Sequence, residues 1–154
     1  MRISRLFLSK IGRKSLVPAD RKEFIMKIVV LAGGISTERD VSLVSGMGIY
    51  KALKSKGHQV MLLDVFLGYE HDDWKDVFEK NVDWAASVGA IKDQNPDIDA
   101  VKALRPDWKK NFFGPHVIEI CQHADVVFMA LHGENGENGK IQACFDLNGI
   151  RYTG

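Results

Sequence analysis

The period of hydrophobic and polar positions changes several times along this 154-residue chain. Ile28, Val29, Val30, Leu31 and Ala32 form an unbroken apolar run, rich in β-branched residues and ended by Gly33 and Gly34. A short run of that kind reads as a strand buried on both faces that breaks into a tight turn. Beyond the turn, Val41, Val44 and Ile49, with the small Ser45 and Gly48, recur at helical spacing and predict a helix to about residue 56. Gly57 supplies its C′ position, and Lys54 and Lys56 complement the dipole in its last turn. Thr37, followed three residues later by Asp40, approximates a capping box with Asp in the Glu/Gln place. Gly46 and Gly48 inside the helix cost about 1 kcal/mol each relative to Ala, and close packing against a sheet is the ordinary reason to keep them. Residues 59–65 are a second apolar run, so strand, helix and strand make a βαβ unit.

The same alternation returns after Pro115. Residues 116–123 predict a helix with Val117, Ile120 and Cys121 on one face, and residues 126–130 another fully buried strand. A helix opening at Glu137 or Asn138 runs through Leu147, and Ile150, Arg151 and Tyr152 begin a further strand. The expected fold class is therefore α/β, a Rossmann-like parallel sheet flanked by helices, over residues 26–154. Residues 68–114 are irregular. Trp74, Trp84 and Trp108 are scattered among acids, lysines, Pro96 and Pro106, with short helices expected at 72–81 and 83–87. Aromatics so placed cover a sheet edge more often than they bind a ligand. This stretch carries no assigned function and is a place for family variation or for docking a partner subunit.

Charge divides the chain unevenly. Before Met26, seven basic residues stand against Asp20 and Glu23, a local +5, so the remainder of a chain of formal charge +1 carries −4. That balance argues against a nucleic-acid surface on the folded part. Residues 1–25 are a basic extension, expected to be disordered or loosely helical, and either an organelle transit peptide or a start placed too early. No run approaches the roughly 18 apolar residues of a membrane span. Cys121 and Cys144 make neither a disulfide framework nor a metal site, which points to buried free thiols in a reducing cytoplasm.

The candidate chemistry lies where strands end. Glu38 falls in a first helical turn, where free N–H groups favour a carboxylate by about 0.3–1 kcal/mol. Two roles stay open for it. It is one more acid complementing the helix dipole, or it turns into the crevice at the strand ends and holds a ligand ammonium through a charge-assisted hydrogen bond of about 1.5–3 kcal/mol. His132 and Gly133 follow the strand at 126–130 and share that edge. Gly133, Gly136 and Gly139 permit a loop that turns backbone N–H groups toward a ligand. His132, neutral or protonated, can hydrogen-bond a carboxylate. His58, His71, His116 and His123 lack such a setting. Glu134 and Glu137 do not read as a metal site, because hard cations want several converging oxygens; Glu137 is expected to cap its helix. Neither glycine stretch has the Lys-Ser/Thr of a phosphate loop.

Residues 33–46 read Gly-Gly-x-Ser-x-Glu-Arg-x-Val-Ser-Leu-x-Ser-Gly, and residues 132–142 read His-Gly-x-x-Gly-Glu-x-Gly-x-x-Gln. Residues 149–154 add Gly-Ile-x-Tyr-Thr-Gly. In this order the three resemble the signatures of D-alanine–D-alanine ligases. The resemblance implies the amino-terminal, pre-ATP-grasp domain of a three-domain enzyme, cut short at its carboxyl-terminal end. Such a ligase phosphorylates the carboxylate of a first D-alanine with ATP and lets the amine of a second attack the acyl phosphate, for peptidoglycan synthesis. Carried onto matching positions, Glu38 binds the first D-alanine's ammonium and holds a closed loop through a hydrogen-bond network, as the catalytic residue of this part. Val41 packs on the methyl group and His132 approaches the carboxylate. Ser42, Gly33, Gly34 and Gly133 shape the pocket, and Gly136 and Gly139 shape its loop.

By the same resemblance ATP and Mg2+ serve the full enzyme through domains that lie beyond residue 154, with no metal held by this chain, and the chain alone is expected to be inactive. The full-length enzyme is expected to be a cytoplasmic homodimer that binds neither nucleic acid nor membrane. Two other readings are a stand-alone Rossmann-like module that binds a small molecule without catalysis, and part of a D-alanine–D-lactate or D-alanine–D-serine ligase. An ending inside a strand disfavours the first.

Overall fold

The computed structural model describes residues 24–87 and 96–154. The basic extension up to residue 23, and residues 88–95 of the irregular stretch, lie outside the described residues. Three strands, β1 (Lys27–Ala32), β2 (Gln59–Asp64) and β3 (Val126–Met129), pair in the order β2-β1-β3, all parallel. Helix α1 (Arg39–Ser55) connects β1 to β2, completing the expected βαβ unit. Helices α2 (Ile98–Ala103), α3 (Val117–His123) and α4 (Lys140–Leu147) follow.

Successive side chains of a strand point to opposite faces, and β1, with neighbours on both sides, buries both. Ile28, Val30 and Ala32 share a core with Val60 and Leu62 of β2 and with Leu43, Met47 and Tyr50 of α1. Val29 and Leu31 share the other core with Val117, Ile120 and Cys121 of α3 and with Ile141 and Phe145 of α4. That two-sided burial is why the strands read as continuous apolar runs. A Cβ on Gly46 would lie 2.8 Å from the Ala32 Cβ, so glycine lets α1 settle onto β1. Gly48 faces open space; the packing reason expected for both glycines holds for Gly46 alone.

Several boundaries differ from expectation. Helix α1 begins at Arg39 with Glu38 as N-cap, and no side chain caps it. Thr37 therefore falls one residue outside the cap, and Ser36, not Thr37, accepts the Glu38 N–H at 3.2 Å. Helix α4 begins at Lys140, because Gly139 is left-handed (φ 81°) and interrupts the helical path from Glu137. The Lys140 N–H is taken by the Asn138 side chain at 3.2 Å, and Glu137 does not cap. The strand expected after Ile150 is present as one parallel bridge from Tyr152 to Val127.

Within 68–114, the helix expected over 72–81 is reduced to a 3-10 turn at Trp74–Asp76. Asp73, in its cap place, gives its carboxylate to Tyr69 and Lys80 rather than to backbone N–H groups. A second 3-10 turn occupies Trp84–Ser87, and α2, capped by Asp97 through the Ala100 N–H, lies where the sequence predicts no element. Trp74, Trp84 and Trp108 pack half-buried against the sheet core, the covering role expected of them. Arg105 binds this stretch together by donating to the carbonyls of Phe66, Asn111, Phe112 and Phe113. Cys121 is buried, which pushes its thiol pKa up, while Cys144 is only half-buried; both are free. No helix of the described residues is long and apolar enough to cross a membrane.

Candidate functional site

The strand order decides where a ligand can lie. From the central β1 the chain passes through α1, on one face, to β2 on one side; β3 lies on the other side and leads into α4 on the opposite face. The loops after β1 and β3 therefore part in opposite directions and leave a crevice at their carboxyl ends, the switch point at which open α/β sheets take their ligands. Glu38 stands on the first loop and His132, Gly133 and Glu137 on the second.

Both loops are tied across that crevice. Ser36 Oγ donates to the His132 carbonyl at 2.8 Å and accepts the Glu38 N–H, so one hydroxyl fixes the backbone of both candidate residues. The oxygens of Glu38 and Glu137 and a ring nitrogen of His132 all lie within 4.8 Å of one another. Glu137 Oε1 is 3.9 Å from His132 Nδ1, an ion pair when the imidazole is protonated. Gly133 has φ 75°, and a Cβ there would come within 3.1 Å of Glu38 Oε2 and 3.0 Å of Ser36 Oγ. Any side chain at 133 would crowd the Glu38 carboxylate. Carboxylate and imidazole at this separation can hold a cationic and an anionic group side by side.

Ser42 lies under the crevice and is fully buried. Its hydroxyl donates to the Ala130 carbonyl at 2.7 Å and accepts the Gly33 N–H at 2.9 Å. It thus shapes the site from beneath by joining the turn after β1 to the end of β3. Val41, the third residue of α1, is 55% exposed, with its side chain available to an apolar group. Gly136 is needed for space, since a Cβ there would lie 2.6 Å from the Leu131 Cβ; its carbonyl accepts from the Gln142 amide at 2.7 Å. Gly34 lies beside Val65, and Gly139 is the N-cap of α4.

Sequence reasoning overlooked four contributors. Ser36 was visible as the serine of the Gly-Gly-x-Ser turn, but its bond to residue 132 spans the fold. Glu137, expected to cap its helix, instead faces His132. Arg39 and Asp64 form an ion pair of 2.5 Å with side chains 9% and 14% exposed, and nothing local marks two opposite charges so far apart in sequence as partners. The four remaining histidines stand outside the site: His116 stacks on Trp74, His123 packs against Trp74 and Phe78, His58 accepts the Met26 N–H, and His71 meets the edge of Tyr69.

ATP and magnesium, implied by the resemblance for the whole enzyme, find no matching donor set in these loops. Neither glycine turn continues into Lys-Ser/Thr. Glu38, His132 and Glu137 mix a ring nitrogen with carboxylates where magnesium prefers oxygens alone.

Comparison with known proteins bears on the same stretch. The family model described as D-ala D-ala ligase N-terminus matches residues 27–154. A D-alanine–D-alanine ligase of Lacticaseibacillus casei is 49% identical over 134 residues, covering 84% of this chain and 36% of that protein. Those of Pediococcus pentosaceus and Novosphingobium aromaticivorans are 48% and 35% identical, covering 84% and 83% of this chain and 37% and 26% of theirs. The chain thus spans about a third of the length of the curated relatives it matches. Its match over both crevice loops and all three strands shows that the chain belongs to the family of D-alanine–D-alanine ligase amino-terminal domains.

Proposed function

We propose that this chain supplies the first-substrate wall of an ATP-dependent D-alanine–D-alanine ligase of peptidoglycan synthesis. The observation that carries the reading is the meeting of Glu38, His132 and Glu137 at the switch-point crevice. The Glu38 carboxylate binds the ammonium of the first D-alanine. His132 approaches its carboxylate, with Glu137 orienting the ring, and Val41 packs on the methyl group. Gly133 leaves room for the carboxylate of Glu38, and Ser36 and Ser42 hold the two loops at fixed separation. The chain's part in the reaction is to bind and orient an amino acid, a contribution of positioning rather than of bond making. ATP, magnesium and the second D-alanine belong to the longer enzyme, which works in the cytoplasm as a homodimer. The 154 residues alone give no ATP-dependent turnover.

The test is Glu38→Gln in a chimera where residues 27–154 replace the corresponding part of the Lacticaseibacillus casei ligase. Loss of a charge-assisted bond of about 1.5–3 kcal/mol lowers kcat/KM for D-alanine by roughly ten- to a hundredfold, with KM for ATP unchanged. Unchanged kinetics would reduce Glu38 to an acid that complements the α1 dipole.

A further inference from the structure

We propose that the buried Arg39–Asp64 pair is a positioning device that sets where Glu38 reaches into the crevice. The Arg39 guanidinium divides its fork between two groups, donating through Nη1 to the Gly34 carbonyl at 2.6 Å and through Nη2 to Asp64 Oδ2 at 2.5 Å. Asp64 ends β2, and its other oxygen accepts the N–H groups of Phe66 at 2.9 Å, Leu67 at 3.0 Å and, at 3.5 Å, Gly34. Gly34 is therefore held by both its N–H and its carbonyl, each by one member of the pair. The backbone at Gly33 (φ 79°) places the position of a Cβ inside the Asp64 carboxylate, so a side chain there would exclude the pair. Turn, carboxylate and guanidinium form one interlocked unit, and Glu38 is the residue next to Arg39.

Stability alone does not explain such a pair. Removing two charges from water costs about as much as their attraction returns, and apolar residues of the same volume serve a core as well. What the ion pair adds is registry. A planar fork with two fixed acceptors ties the end of β2, the turn after β1 and the start of α1 into one geometry. Lysine cannot reproduce it, because a single ammonium has no rigid fork. On this reading Arg39 and Asp64 act through the loop that carries Ser36 and Glu38.

Its consequence for binding rests on the D-alanine reading, so the test pairs a ligand-free readout with a ligand-dependent one on the same 154-residue chain. Amide resonances of Gly34, Ser36 and Glu38 are compared between parent, Arg39→Lys and Ile120→Val, the last a core truncation that lowers Tm without touching the turn. Arg39→Lys is expected to shift or broaden those three resonances and to weaken D-alanine binding about tenfold or more. Ile120→Val leaves both as in the parent. Should Arg39→Lys not fold, Asp64→Asn, which keeps shape and an acceptor for the Phe66 and Leu67 N–H groups, is read in the same way. Parent-like turn resonances in the folded variant overturn the inference, whatever D-alanine does. Displaced resonances in a chain that never binds D-alanine overturn the substrate reading and leave the positioning of Glu38 standing.

Discussion

Replacing Ser42 with alanine removes one oxygen from a fully buried site. Its Oγ is the partner of two groups, the Gly33 N–H at 2.9 Å and the Ala130 carbonyl at 2.7 Å, and Gly33, Ser42 and Ala130 are all buried. An unpaired buried donor or acceptor costs about 1–3 kcal/mol. The two groups sit at the crevice end of their strands, where a small movement admits some water. The expected loss in Ser42→Ala is therefore about 2–4 kcal/mol, below the sum of two full penalties. For a domain of this size that corresponds to a fall in Tm of roughly 6–15 °C. The assay is thermal and urea unfolding of the 154-residue chain followed by circular dichroism, with Ser55→Ala as reference. Ser55 donates to Ala52 on an exposed helix face, so its truncation stays within about 0.5 kcal/mol of the parent. A Ser42→Ala variant as stable as Ser55→Ala would refute the view that this hydroxyl joins the turn after β1 to the end of β3.

The two helical glycines of α1 should respond in opposite directions. Gly46→Ala presses a methyl group to 2.8 Å from Ala32 and 3.1 Å from Leu62, and is expected to destabilise by about 1–3 kcal/mol despite its better helix propensity. Gly48→Ala meets nothing and is expected to stabilise by about 0.5–1 kcal/mol; urea midpoints of both variants decide. The thiols should separate by burial: Cys144 reacts with a chromogenic disulfide reagent in the native chain, whereas Cys121, buried and with its pKa pushed up, reacts only on unfolding. Equal native rates would mean that α3 does not seal its inner face.

The parts legible in the sequence are those where one periodic signal governs. β1 and β2 are apolar on both faces because both are buried, whereas β3, expected to be fully buried, buries Val127 and leaves Val126, Phe128 and Met129 half-buried. Helix α1 shows its helical spacing and its Gly57 terminus plainly. The crevice was legible too, since Glu38 and His132 each follow a strand and parallel strands place their ends together. What escaped depends on contacts between distant residues or on backbone handedness. Asp64 looks like an ordinary polar end to a strand until Arg39 reaches it. Glu137 lies in a stretch that would suit a helix, but left-handed Gly139 delays the helix and leaves the carboxylate beside His132. Among the described residues of 68–114, apolar contact is made by scattered single residues such as Trp74, Val77, Phe78 and Ala85 rather than by a periodic face, so α2 left no pattern to read.

The most direct test of the account is a titration of the isotopically labelled 154-residue chain with D-alanine, read at each backbone amide, with Glu38→Gln in parallel. The account predicts saturable changes confined to the turn from Gly33 to Val41 and the loop from Leu131 to Glu137, lost or much weakened in Glu38→Gln. Changes centred elsewhere, or the same titration in the Glu38→Gln variant, would contradict it.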